Sequence, residues 1–147
     1  REANAINLRD VVQRIIGQVR EGLLDPEKRI EIELNGPSIF LSPQQTTACA
    51  LSLNELLQNA IEHGYADRTA GVINVNLTDQ GDLITIEVAD DGGGLPSDFD
   101  LGRDVSLGLR IVQSLATNDL KGHFSLKNSG SGTSATLKFP KQIIGGT

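Results

Sequence analysis

The run Asp90-Asp91-Gly92-Gly93-Gly94-Leu95-Pro96 constrains this chain more than any other stretch. It follows an apolar alternation from Leu83 to Ala89 in which Ile84, Ile86 and Val88 share one face of a strand. Side chains alternate along a strand, so Asp90 falls on that same face. A carboxylate on the core side of a strand end is costly unless something donates hydrogen bonds to it. Three successive glycines then remove every Cβ, which lets backbone approach a bound group closely. The alternative is a tight Asp-Gly hairpin turn. A hairpin needs a second alternating strand at once, and Leu95-Pro96-Ser97-Asp98-Phe99-Asp100 does not alternate. A ligand loop is the favoured reading.

The rest of the chain supplies a sheet and helices around that loop. Asn4 to Leu24 carries Ile6, Val11, Ile15, Val19 and Leu23 at helical spacing and stops at Asp25-Pro26. Arg29 to Leu34 alternates, Asn35-Gly36-Pro37 turns, and Ser38 to Leu41 forms a short second strand. Ser42-Pro43 opens a long helix that Gly64 closes, with Ser42 as N-cap and Pro43 at the first helical position. Strands follow at Val72 to Leu77 and Leu83 to Asp90, joined around Gln80-Gly81. Leu95 to Val105 shows no periodicity and reads as a mobile loop; Ser106 caps a helix to about Thr117. Gly122 to Asn128 and Thr133 to Phe139 make a last strand pair, and Gly145-Gly146-Thr147 reads as a frayed tail. Strands that are half polar predict a mixed, mainly antiparallel sheet with one wet face and helices on the other, a two-layer α/β sandwich.

Size and composition narrow the classes. A chain of 147 residues is one domain by size. Its net charge of −6 argues against nucleic-acid and anionic-membrane surfaces. No apolar run reaches spanning length and no signal peptide is visible. One cysteine, Cys49, allows no internal disulfide, so a reducing compartment such as the cytoplasm is expected. A chain without Met that begins at Arg1 reads as a piece excised from a longer one.

On the long helix, Cys49, Leu53, Leu56, Leu57, Ala60 and Ile61 form an apolar stripe, and Glu55, Asn59, Glu62 and His63 a polar band beside it. An exposed polar face is the plain reading, and it suffices for Glu62. Glu55 and Asn59 stack one turn apart as acid and amide. An amide oxygen serves as one ligand of Mg²⁺, which takes others from phosphates and water. A carboxylate one turn earlier is placed to take a proton from a nucleophile. Thr133 shares parity with Ala135, Leu137 and Phe139, so its hydroxyl points inward as Asp90 does. Two inward polar groups at strand ends suit adenine, whose exocyclic amine donates to a carboxylate where guanine presents an acceptor. Ser106-Leu107-Gly108-Leu109-Arg110 gives a capped helix start; it suits phosphates, and an ordinary N-cap explains it equally well.

In this order the residues resemble the Bergerat-fold ATPases, a family that includes gyrase, MutL-type repair proteins, heat-shock chaperones and sensor histidine kinases. Asn54 to Gly64 is similar to the family's N box, and Asp90-Asp91-Gly92-Gly93-Gly94 to its first glycine box. Ser106-Leu107-Gly108-Leu109 is similar to the second box and Gly130-Ser131-Gly132-Thr133 to the third. No Gly-x-x-x-x-Gly-Lys of a P-loop is present. The N box and the closing Leu137-Lys138-Phe139-Pro140 resemble histidine-kinase catalytic domains; the compact lid, Leu95 to Val105, and the preceding helix and strand pair resemble the subset with a shortened lid.

The resemblance implies ATP and Mg²⁺ as ligands. It implies that Asn59 ligates the metal, Asp90 reads the adenine amine, Thr133 supports the base through water, and Glu55 receives the acceptor histidine's proton. Gly92 and Gly94 would shape the pocket, with Leu107, Gly108 and Leu109 facing the phosphates. It further implies upstream helices that carry the phosphoacceptor histidine and form a homodimer, and a response regulator as partner. Where the family commonly has a basic residue before His63, this chain has Glu62, which leaves His63, Arg103, Arg110 or the metal to meet phosphate charge. An anti-sigma-factor-type serine kinase, a hydrolytic ATPase and a nucleotide-binding module without turnover share these motifs and are the alternatives. His123 has the outward parity of Ser125 and Lys127 and reads as surface; Cys49 reads as core.

Overall fold

A computed structural model describes residues 4–142. The elements run β1 (Ile6–Asn7), α1 (Leu8–Gly22), β2 (Arg29–Asn35), β3 (Phe40–Leu41), α2 (Pro43–Gly64), β4 (Ala70–Asp79), β5 (Leu83–Asp90), α3 (Leu107–Ser114), a π-helical turn Leu115–Asp119, β6 (His123–Asn128) and β7 (Thr133–Pro140). Five strands form one sheet in the order β2-β4-β5-β7-β6; β2 runs parallel to β4 and every other pairing is antiparallel. The inward row Ile32, Ile73, Val75, Ile84, Ile86, Val88, Leu137 and Phe139 packs beneath α2, whose Cys49, Leu53, Leu56 and Leu57 are buried against it. This is the two-layer α/β sandwich that the alternating strands predict. The expected tail Gly145-Gly146-Thr147 lies outside the described residues.

The opposite face of the sheet carries a chain of hydrogen bonds across four strands. Asn35 Nδ2 donates to Asn74 Oδ1 (3.1 Å) and Asn76 Oδ1 (2.9 Å), Asn76 Nδ2 donates to Glu87 Oε1 (2.9 Å), and Ser134 Oγ donates to Glu87 Oε2 (2.6 Å).

Two expectations near the N-terminus are corrected. The first helix begins at Leu8, because Asn7 is its N-cap and accepts from the Arg9 amide (3.1 Å). Its buried stripe is Leu8, Val12, Ile16 and Val19, one residue on from Val11 and Ile15. The segments 29–34 and 38–41 do not pair with each other. β2 pairs with β4, whereas β3 pairs with β1 in a separate two-stranded sheet, to which the bond from Leu8 N to Ile39 O (2.7 Å) is fastened. Gly36, at φ +122°, carries the chain out of the main sheet against Leu77, where a Cβ would collide with backbone.

Both ends of α2 are secured. Ser42 accepts from the Gln45 amide (3.1 Å), and the buried Gln45 side chain bonds Pro140 O (2.9 Å) and Gln142 N (3.1 Å), fixing the end of β7 beside the helix start. At the other end Gly64 O accepts from Gly93 N (2.8 Å) and Tyr65 O from Lys28 Nζ (2.6 Å), so late carbonyls of the helix find donors. The first of these bonds sets the glycine loop directly under the helix terminus.

Candidate functional site

Asp90 ends β5 between Ile73 of β4 and Thr133 of β7 in direct register. Only 8% of its surface is exposed. Its Oδ1 accepts from Gly92 N (2.9 Å) and Thr133 N (3.3 Å). Burial raises the carboxyl's pKa above the ordinary range, and those two amides offset part of the shift. Both bonds fall on Oδ1, so within the described residues Oδ2 is free to accept from a ligand.

Asp91 faces the other way, as strand parity requires. Its Oδ1 accepts from the Tyr65 hydroxyl (2.6 Å) and Val72 N (3.0 Å), its amide donates to Tyr65 Oη (3.1 Å), and Arg68 Nη1 donates to its carbonyl (3.2 Å). Burial works to raise the Asp91 pKa, but the hydroxyl, the amide and the guanidinium outweigh it and hold the carboxyl low. Tyr65 is fully buried, and burial followed by its bond to Asp91 pushes its phenol well above the ordinary value. Adjacent carboxylates are thus divided between a cleft and a brace.

The glycines that follow them set close approaches. A Cβ on Gly92 would collide with the backbone of Gly64, so α2 and the loop meet there without side chains. Gly94 takes φ +77°, and a Cβ there would stand 3.0 Å from Asn128 Oδ1.

A cleft runs from Asp90 to the N-terminus of α3 in three connected parts. The Asp90 end is narrow, about 30 Å³, and is lined by Leu56, Ala60, Val88, Leu95, Leu126 and Thr133. The middle, about 540 Å³, lies under Leu95 to Val105 and includes Pro96, Phe99 and Arg103. The far end, about 260 Å³, is walled by Glu55, Gln58, Glu62, Leu107 and Gly108. Asn59 and His63 line all three parts.

At the far end a Cβ on Gly108 would strike Glu55 Oε1, so the first turn of α3 is flush with that carboxylate. Ser106 Oγ accepts from Leu109 N (3.3 Å) as the helix cap.

Of the residues singled out from sequence, Glu55, Asn59, His63, Asp90, Gly94, Arg103, Leu107, Gly108 and Thr133 border this cleft. Leu109 borders it too, but its side chain is 4% exposed and belongs to the core. Gly92 borders a separate outer groove with Arg68, Asp91 and Ser131. Arg110 is exposed on α3 and lies outside the lining. Arg103 is engaged by Asp104 through two bonds of 2.9 Å and by Asp98 O (2.8 Å). Cys49 is buried and its thiol is pushed well up by burial, while His123 and Glu62 are exposed, as their positions in the pattern predict. Sequence reasoning quoted Asp91 within the glycine motif without a role for it, and missed Tyr65, Arg68 and Asn128. Of these three, Asn128 left a signal, sharing the inward parity of Phe124 and Leu126.

Among the described residues no group of three or more His, Cys, Asp or Glu side chains is placed to hold a metal ion. A metal held by one amide and the oxygens of a bound polyphosphate is compatible with the half-buried Asn59 in the cleft wall. No helix among the described residues is long and apolar enough to cross a membrane.

A five-stranded mixed sheet under helices, with a carboxylate strand end and glycine loops at one mouth, defines a Bergerat-type ATPase domain. Residues 44–143 match the family described as histidine kinase-, DNA gyrase B- and HSP90-like ATPase, and the chain belongs to that family. The sensor histidine kinase PdtaS of Mycobacterium tuberculosis is 31% identical over 137 residues, covering 92% of this chain and 27% of the relative. Blue-light-activated histidine kinase 2 of Erythrobacter litoralis is 27% identical, covering 80% and 34%. The histidine kinase domain of the Erythrobacter litoralis EL346 blue-light activated kinase superposes with a TM-score of 0.83 at 24% identity, over 94% of this chain and 68% of that one. The catalytic domain of histidine kinase ThkA gives 0.77 at 20% identity, over 93% and 95%. The chain spans about a quarter to a third of the length of these curated relatives. It is an ATP-binding domain of the histidine-kinase type, homologous to sensor histidine kinases.

Proposed function

We propose that this chain forms one catalytic domain that binds Mg-ATP in the cleft and serves transfer of the γ-phosphoryl group to a histidine on an upstream dimerisation helix. The observation that carries the reading is the order of groups along one cleft: Asp90 and Thr133 at one end, Asn59 and His63 in the middle, Glu55 against the α3 N-terminus at the other. Asp90 Oδ2 accepts from the adenine amine, and Thr133 supports the base through water. Asn59 contributes its amide oxygen to Mg²⁺, which when bound neutralises phosphate charge. His63 and Arg103 meet remaining anionic charge, Arg103 after leaving Asp104. The backbone of Leu107 and Gly108 borders the phosphates, and Glu55 takes the proton from the incoming imidazole. Catalysis is positioning plus charge neutralisation.

The full-length protein is proposed to be a homodimer, soluble or membrane-anchored, whose catalytic domain lies in the cytoplasm and which passes phosphate to a response regulator. Calorimetry with this chain is expected to show nucleotide binding that Mg²⁺ strengthens, and no self-phosphorylation. No binding in the presence of Mg²⁺ refutes the proposal. In a phosphotransfer assay on the full-length protein, label lost in acid marks phosphohistidine; acid-stable label assigns the chain to serine kinases instead.

A further inference from the structure

Asn128, at the end of β6, holds both backbone groups of one lid residue. Its Oδ1 accepts from Leu95 N (2.6 Å) and its Nδ2 donates to Leu95 O (3.2 Å). The grip falls at a pivot. Gly94 precedes it at φ +77°, and Pro96 follows, with a fixed φ and no N–H to offer. Leu95 itself borders the narrow end of the cleft, the space under the lid and the outer groove. Asn128 pairs with Thr133 across β6 and β7, and Thr133 pairs with Asp90 across β7 and β5. One inward row at the sheet's end therefore presents a carboxylate, a hydroxyl and an amide. The first two border the narrow end; the third is spent on the lid.

The place of Leu95 gives this grip a consequence. The narrow space beside Asp90 opens into the part of the cleft under the lid, about 540 Å³, and Leu95 borders both. A base moving between the two passes Leu95, the lid's contribution to that wall. We infer that Asn128 is a positioning residue that gates nucleotide exchange: it holds Leu95 across the base end and must release it each time a nucleotide enters or leaves. The inference rests on the ATP reading above.

The test is stopped-flow binding of a fluorescent ATP analogue to this chain with Mg²⁺. Asn128→Ala removes two hydrogen bonds from the closed state, so both association and dissociation are expected to quicken roughly five- to thirtyfold, with Kd changing less than about threefold. Asn128→Asp keeps the acceptor for Leu95 N but loses the donor, and should quicken both rates by less. Leu95→Ala opens the narrow end without touching the grip and should raise the association rate.

Unchanged rates in Asn128→Ala, or faster dissociation alone, overturn the inference. If that variant does not fold, Asn128→Asp and Leu95→Ala with wild-type rates overturn it. A wild-type chain that binds no nucleotide brings down the ATP reading and this inference together. A binding wild type with indifferent variants removes the gate alone.

Discussion

Asp90 and Asp91 are chemically identical neighbours with opposite effects on stability. Asp90 has a raised pKa in the folded chain, so its contribution to stability is present at acid pH and lost as pH rises through the folded value. Asp91 has a lowered pKa, so its contribution is present above the ordinary carboxylate range near ~4 and lost as pH falls through the folded value. At neutral pH, Asp90→Asn is therefore expected to leave the melting temperature unchanged or higher, because the Asn oxygen still accepts from Gly92 and Thr133. The same variant should weaken ATP binding by roughly tenfold or more, since its amide can present a donor to the adenine amine. Asp91→Asn should melt below wild type at neutral pH, with the gap closing as pH falls below about 4. Thermal melts across pH with parallel calorimetry check both, and melting shifts of the same sign for the two variants contradict the division of roles. Alternation alone exposes Asp90 to a reader of the sequence. The brace around Asp91 stays hidden, because Tyr65 is 26 positions away and nothing local states that its hydroxyl will be buried there.

Elements were legible where one pattern dominated and illegible where two competed. Ser42-Pro43 and Gly64 bound α2 as observed, since cap, first-turn proline and terminal glycine agree. The first helix offers two apolar rows one residue apart, and only packing against α2 and β2 selects Leu8, Val12, Ile16 and Val19. The parallel pairing of β2 with β4 joins segments on either side of a 22-residue helix, so no turn signal announces it. Among the candidate site residues, Glu55 and Asn59 were readable from helical spacing. The meeting of Glu55 with Gly108 was not, because it depends on how α2 and α3 cross. That contact supplies a prediction for the element pair. Gly108→Ala forces the Glu55 carboxylate away from the α3 start, and phosphotransfer by the full-length protein should fall about tenfold or more, the range of a displaced general base. ATP affinity, set mainly at the other end of the cleft, should change less than about threefold. Equal losses in affinity and transfer would show that the contact serves binding alone.

For the molecule as a whole, the cleft lies between the two layers, so a ligand there ties α2, the glycine loop, the lid and α3 together. Binding confined to the folded state adds about 2.7 kcal/mol at a hundredfold excess over Kd. For a domain of this size that corresponds to a rise of roughly 5–10 °C in melting temperature. Differential scanning fluorimetry with Mg-ATP measures it, and an unchanged Tm at that excess contradicts the proposed site.

The far surface of the sheet has a different fate. Asn35, Asn74, Asn76, Glu87 and Ser134 already satisfy one another in a continuous polar veneer. An oily neighbour laid over it would strip water from a carboxylate and three amides while returning no bonds of its own. That side of the protein is committed to solvent or to a wet, hydrophilic contact, and grease-driven assembly must be sought elsewhere.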